Sequence, residues 1–253
     1  MDRIVVVGMG ELGKVFAQGF LHAGSAVFPV LRGSSLDEVA AASGELLACV
    51  VAVGESDLDA VLASLPTAWR SRLVLMQNEL RPAAWRRHSL ADPTLVAVWF
   101  EKKAGRPLTP LLPTLAQGPL APRVVAALVA LGIPAEVVPS HERMLFELAA
   151  KNLYILTTNL AGLKVGGNVG ALRSDHAALY TAVAREVMAL ERRAFGRDFP
   201  EAELLERLEA AILADPGHAC AGRSAPSRLA RTLTLARELG VDLPELRRIG
   251  EST

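Results

Sequence analysis

The sequence predicts an α/β domain over residues 1–139 followed by an all-α domain over 140–253. Three observations carry this. The first half alternates short β-branched runs with helix-period segments. The second half, after Pro139, keeps only the helical pattern. A glycine-rich turn joins the first strand to the first helix.

Arg3–Val7 reads as a buried strand and Leu12–Ala23 as a helix. Ala26–Leu31 is a second strand, and Ser35–Ser43 is helical. Leu46–Val53 is a third strand, Leu58–Leu65 a helix and Arg72–Met76 a fourth strand. Continuous apolar strands separated by helices indicate a doubly wound, mostly parallel sheet covered on both faces. From Thr94 to Pro119, prolines at 107, 110, 113 and 119 predict edge strands or loops. Beyond Pro139, Leu145–Leu163, His176–Phe195, Glu201–Leu213 and Pro226–Leu239 carry helix-period apolar residues. Ser174 stands where it can cap the second of these helices, and Gly240 fits a stop for the last.

Half of the 253 residues are apolar, enough for a sizeable core. Basic and acidic residues balance at 27 each, and each predicted domain is neutral by itself. That balance argues against nucleic acid or an anionic membrane as partner. The opening Met1–Gly8 is too short in its apolar run for a signal peptide, and no stretch approaches the roughly 20 apolar residues of a membrane span. A cytoplasmic location is expected. Cys49 and Cys220 make neither a disulfide framework nor a metal site, so no metal is expected.

Gly8-Met9-Gly10-Glu11-Leu12-Gly13 is a GxGxxG string between a strand and a helix, the context that makes it a Rossmann dinucleotide-binding fingerprint. Gly8 permits the tight turn, Gly10 lets backbone approach a pyrophosphate, and Gly13 lets the helix pack on the strand. The helix N-terminus then offers N–H groups and partial positive charge. An NAD site usually places an acidic residue after the second strand. Here Leu31-Arg32-Gly33-Ser34-Ser35 stands instead, and Arg32 can grip the extra phosphate of NADP, with Ser34 and Ser35 as further donors. Asp37 reads as a first-turn residue of the next helix.

The segment Glu147–Gly162 is apolar enough to be largely buried, yet carries Lys151 and Asn159. Eight residues is a little over two turns, so both point to roughly the same side. A lysine in such a helix either snorkels to solvent or lines a polar cleft.

With these residues in view, the chain resembles the ketopantoate reductase family along nearly its whole length. The resemblance rests on the glycine string, Arg32, Gln77-Asn78 after the fourth strand, Gly118-Pro119, and the helix with Lys151 and Asn159. It continues through Asn168-Val-Gly170-Ala-Leu172-Arg173 and ends in Glu238-Leu-Gly240-Val241-Asp242-Leu-Pro244. It implies a Rossmann domain plus a helical substrate and dimerisation domain, with the active site in the cleft between them. It implies NADPH as hydride donor, a small 2-keto acid or related carbonyl compound as substrate, and Lys151 as the acid that protonates the alkoxide. Asn78 would sit beside the nicotinamide and the substrate, and Asn159 would hydrogen-bond the substrate.

The match breaks where the family has a glutamate near the start of its last long helix. The corresponding position falls near Ser224, a candidate substrate contact, and no acidic residue lies between Asp215 and Glu238. Glu79 stands where the family tends to have glycine. Arg223 and Arg228 can favour a different anion or face solvent, and His218 is the one histidine near the expected site. Two other readings stay open: an NADP(H)-binding sensor or partner-binding protein with impaired catalysis, and an imine reductase of the same domain order. Whether the chain forms a homodimer is also open.

Overall fold

The computed structural model describes residues 1–252 and divides into two compact units, Met1–Glu147 and Leu148–Thr253. The first unit begins with β1 (Arg3–Val7), α1 (Glu11–His22), β2 (Ala26–Val30), α2 (Leu36–Ser43), β3 (Ala48–Val51) and α3 (Glu55–Ser64). It continues with β4 (Leu73–Leu75), the short α4 (Pro82–Arg86), β5 (Thr94–Ala97) and a small hairpin of β6 (Phe100–Glu101) and β7 (Thr109–Pro110). It closes with β8 (Thr114–Gln117), α5 (Ala121–Val129) and β9 (Ala135–Val137).

Seven strands form one sheet in the order β2-β1-β3-β4-β5-β8-β9. All neighbours run parallel except β5 and β8. The chain leaves β1 for β2 on one side and places β3 on the other. The C-terminal end of β1 is therefore a topological switch point, where ligands of open α/β sheets bind. Val6 of β1, Val50 of β3, Val74 of β4 and Val96 of β5 lie in one core cluster with Phe16 and Phe20 of α1 and Val124 and Leu128 of α5. Burying side chains of this size contributes about 1.5–3 kcal/mol each.

The expectation of edge strands or loops over 94–119 needs correction. Both β5 and β8 lie inside the sheet, and β5 is buried throughout. The prolines do not interrupt them: Pro107, Pro113 and Pro119 flank the paired stretches, and Pro110 belongs to the separate hairpin. A proline outside the ladder costs no ladder hydrogen bond.

Helix α6 (His141–Val165) runs through the division between the units. The second unit continues with α7 (Val169–Asp175), α8 (Ala177–Phe195), α9 (Glu201–Ala214), α10 (Ala225–Leu239) and α11 (Pro244–Glu251). Ser174 is not the cap expected of it. It lies within α7, its hydroxyl donating to the Gly170 carbonyl at 3.2 Å, and His176 occupies the N-cap of α8. Gly240 does close α10, in the left-handed conformation at φ +66°. Among the described residues no helix is long and apolar enough to cross a membrane.

Candidate active site

The turn after β1 begins at Gly8, whose φ of +93° an L side chain rarely adopts. Its N–H donates to the Val30 carbonyl at 3.1 Å, which ties the turn to β2. A Cβ on Gly13 would lie 1.9 Å from the Gly8 carbonyl oxygen, so only glycine lets α1 start so close to the strand. At Gly10, the N-cap of α1, an added Cβ would meet nothing within 4 Å. The backbone there borders open space, which a pyrophosphate approaching the free N–H groups of the first turn can fill. The side chains of Met9 and Leu12, both half-buried, pack against the core cluster. Glu11, first in the helix, lies 3.1 Å from Lys14 and 3.3 Å from Lys102. Those two ammonium groups hold its carboxyl below the usual range.

Beyond β2, Arg32 extends into solvent, 3.6 Å from Asp57 in the first turn of α3. The hydroxyls of Ser34 and Ser35 accept bonds from the Leu31 and Glu38 N–H groups, Ser35 as the N-cap of α2. Asp37 lies in the first turn of α2.

At the end of β4, buried Gln77 donates to the carbonyls of Val51 at 2.8 Å and Val53 at 3.2 Å. This amide bolts the C-terminal ends of β3 and β4 together. The next residue, Asn78, is half-buried, and its backbone N–H donates to Glu55 Oε1 at 3.1 Å. Glu79 follows, also half-buried. Neither Gln77 nor Glu55 shows its structural role in the sequence, because each depends on a partner in another strand or loop.

In the helical unit, Lys151 is only 5% exposed. Its neighbour Asn152 donates to Glu191 Oε2 of α8 at 2.9 Å, both side chains being buried, and this fixes the rotation of α6. Asn159 is half-buried, two turns further on, with Nδ2 3.4 Å from the Thr158 hydroxyl. Its Oδ1 accepts a hydrogen bond from Arg228 Nη1 at 2.5 Å. Arg228 belongs to α10 and is 5% exposed, whereas Arg223 faces solvent. The burial of Arg228 was readable from its place on the apolar stripe Ala225, Leu229, Thr232 and Ala236, but its charge hid it.

Ser224 is exposed at the N-cap of α10. Asn168 caps α7, its Oδ1 accepting from Ala171 N at 2.8 Å. The loop before α10 is anchored to residues 167–170: His218 and Pro216 carbonyls accept from Val169 and Gly170, and Cys220 donates to Gly167. His218 itself lies 3.6 Å from Asp215.

No protein-family model matches the chain, and no curated protein matches it in sequence. Solved structures do match, along nearly its whole length. The crystal structure of a PanE/ApbA family ketopantoate reductase from Ralstonia eutropha JMP134 has a TM-score of 0.69 at 15% identity, covering 98% of this chain and 96% of that one. A dimeric ketopantoate reductase from Staphylococcus aureus has a TM-score of 0.67 at 13% identity, covering 98% and 96%. D-mandelate dehydrogenase in complex with NADH has a TM-score of 0.69 at 10% identity, again covering 98% and 96%. The fold of this chain is thus that of the ketopantoate reductases: a mostly parallel seven-stranded sheet with helices, followed by a helical part.

Proposed function

We propose that this protein is an NADPH-dependent reductase of a small carbonyl compound of the 2-keto acid kind. The observation that carries the reading is the Gly8–Gly13 turn, with its close-packed Gly13 and open Gly10 at the sheet's switch point. Backbone N–H groups of the first turn of α1 would hold the pyrophosphate, and Arg32 the 2′-phosphate. The reduced nicotinamide, when bound, supplies a hydride to the carbonyl carbon. The protein supplies the proton. Lys151, as an ammonium, donates it to the carbonyl oxygen, and its charge favours the oxyanion as it forms. Asn78 orients the carbonyl end, and Asn159 hydrogen-bonds the rest of the substrate. Ser224 is a further candidate contact. As in the dimeric Staphylococcus aureus neighbour, a homodimer belongs to this reading.

Titration with NADPH and NADH, followed by NADPH fluorescence, tests the cofactor. NADPH binds more tightly, and Arg32→Gln weakens it by about 10- to 100-fold while leaving NADH unchanged. Equal affinities in the native protein would remove the case for NADP. A panel of 2-keto acids, run beside Lys151→Ala, tests the chemistry. Tight NADPH binding without turnover of any of them would favour a second reading, an NADP(H)-binding protein without efficient catalysis. That reading draws on the lack of any acidic residue between Asp215 and Glu238.

A further inference from the structure

We infer that Asp57 lowers the preference of this protein for NADPH over NADH, a role that rests on the proposed binding of the cofactor's adenosine beside Arg32. Its carboxylate opposes a 2′-phosphate and accepts a hydrogen bond from the 2′-hydroxyl that NADH carries instead.

Topology brings two distant segments together here. β2 and β3 flank β1 in the sheet, so the loops that leave their C-terminal ends stand on either side of the Gly8–Gly13 turn. Arg32 follows β2, and Asp57 lies in the first turn of α3, which follows β3. Arg32 Nη2 is 3.6 Å from Asp57 Oδ2. The pair therefore bridges the two loops at the switch point, where dinucleotide-binding sheets recognise the 2′-group of the adenosine ribose.

Both sides of the bridge are fixed. The Ser34 N–H donates to the Leu31 carbonyl at 3.0 Å and the Leu31 N–H to Ser34 Oγ at 3.1 Å, with Gly33 between them at φ +87°. Arg32 thus starts from a closed turn. On α3 three carboxylates stand close together, and two have other partners. Glu55 Oε1 accepts the Asn78 N–H at 3.1 Å, and Asp59 Oδ1 lies 2.8 Å from Arg87 Nε and 2.7 Å from His88 Nε2. Asp57 is the one turned toward Arg32.

An NAD site carries an acidic residue after its second strand to accept the ribose hydroxyl. The first acidic residue after β2 is Asp37, which belongs to the first turn of α2. Asp57 restores a carboxylate beside Arg32 from another helix. The two side chains are 95% and 53% exposed, so water holds the ion pair weakly and Arg32 can turn from Asp57 to a phosphate. The carboxylate stays behind, within a few ångströms of a like charge. With NADH no phosphate draws Arg32 away, and Asp57 has a hydroxyl to accept.

Fluorescence titrations of NADPH and NADH against the native protein, Asp57→Asn, Arg32→Gln and the double variant test this. Asp57→Asn should tighten NADPH about 3- to 10-fold and weaken NADH about 2- to 5-fold, with the melting temperature little changed. The gain in NADPH affinity should shrink in high salt. It should be larger on the Arg32→Gln background, where no guanidinium offsets the carboxylate. Two affinities that Asp57→Asn leaves unaltered, or alters by the same factor, would overturn the inference and leave the NADPH reading standing. Equal affinities in the native protein that Asp57→Asn turns into a preference for NADPH would support the inference and count against that reading. Binding of neither cofactor would overturn both.

Discussion

The ammonium of Lys102 lies 3.3 Å from Glu11 Oε2 and donates to the carbonyls of Lys103 and Arg106 at 2.9 and 2.8 Å, so that the loop after β6 is tied to the first residue of α1. Glu11 is held by Lys14 from the other side. A carboxylate in the first turn suits the helix dipole while that turn holds no anion. It opposes a pyrophosphate, and Lys102 moderates that opposition. Glu11→Gln should therefore tighten NADPH binding several-fold and Lys102→Ala should weaken it, both effects shrinking in high salt. In a double-mutant cycle, the Lys102→Ala penalty should be smaller on the Glu11→Gln background. Additive effects would mean that the pair does not act together on the cofactor.

Gly10 and Gly13 are spaced alike in the motif but stand in opposite surroundings. Alanine at Gly13 would drive its Cβ to 1.9 Å from the Gly8 carbonyl, forcing α1 away from β1. Gly13→Ala should lower the melting temperature markedly. At Gly10 the added methyl meets no protein atom within 4 Å, so Gly10→Ala should melt close to the native protein. It should nonetheless lose most of its affinity for NADPH, because the methyl enters the space reserved for phosphate. Thermal melts with and without NADPH read both effects. Two equally unstable variants would contradict the open space at Gly10.

Such local features are the ones the sequence makes legible. The Gly8–Gly13 turn is read from six consecutive residues, and Lys151 from a charge inside an apolar helix. What depends on distant pairing is not readable in that way. Thr94–Ala97 and Thr114–Gln117 fall in a proline-rich stretch that reads as edge strands or loops, because a strand's place in a sheet is set by its neighbours. Gln77 shows no sign of its structural role until β3 is placed beside β4. Arg228 lies on a helical stripe that the periodicity does reveal, yet a charged residue on such a stripe is normally assigned to solvent. Its burial and its bond to Asn159 reassign it.

Burial pushes the thiol of Cys49 up to about 12 and that of Cys220 up to about 11. The thiolate is the reactive form, so at pH 8 only about one Cys220 in a thousand is reactive. Neither cysteine should react at an appreciable rate with a thiol reagent in the folded protein, and both should react on unfolding in guanidinium chloride. The rate for Cys220 should rise about tenfold per pH unit between 8 and 10 while the fold persists. Fast labelling of a native thiol at pH 7.5 would contradict its burial in the loop against α6.

Glu186 of α8 accepts the N–H groups of Glu245 at 2.7 Å and Leu246 at 3.0 Å, capping α11 from another helix. Burial nevertheless raises its pKa, outweighing the two hydrogen bonds, and the nearby Glu245 and Asp242 charges add to the rise. A carboxyl whose folded pKa is above its unfolded value contributes stability that is fully present below the unfolded value. That contribution is lost as pH rises through the folded one. Glu186→Gln removes the charge and keeps one acceptor, so its stability relative to the native protein should improve from pH 4 upward and then level off once Glu186 is ionised. Glu186→Ala removes the cap altogether and should be about 1–2 kcal/mol less stable than Glu186→Gln at every pH, comparable to the loss of an N-cap side chain. Chemical denaturation of the three proteins from pH 4 to 8 measures both. A native-minus-Gln difference that instead grows in favour of the native protein as pH rises would mean that the hydrogen bonds from Glu245 and Leu246, rather than burial, control this carboxyl.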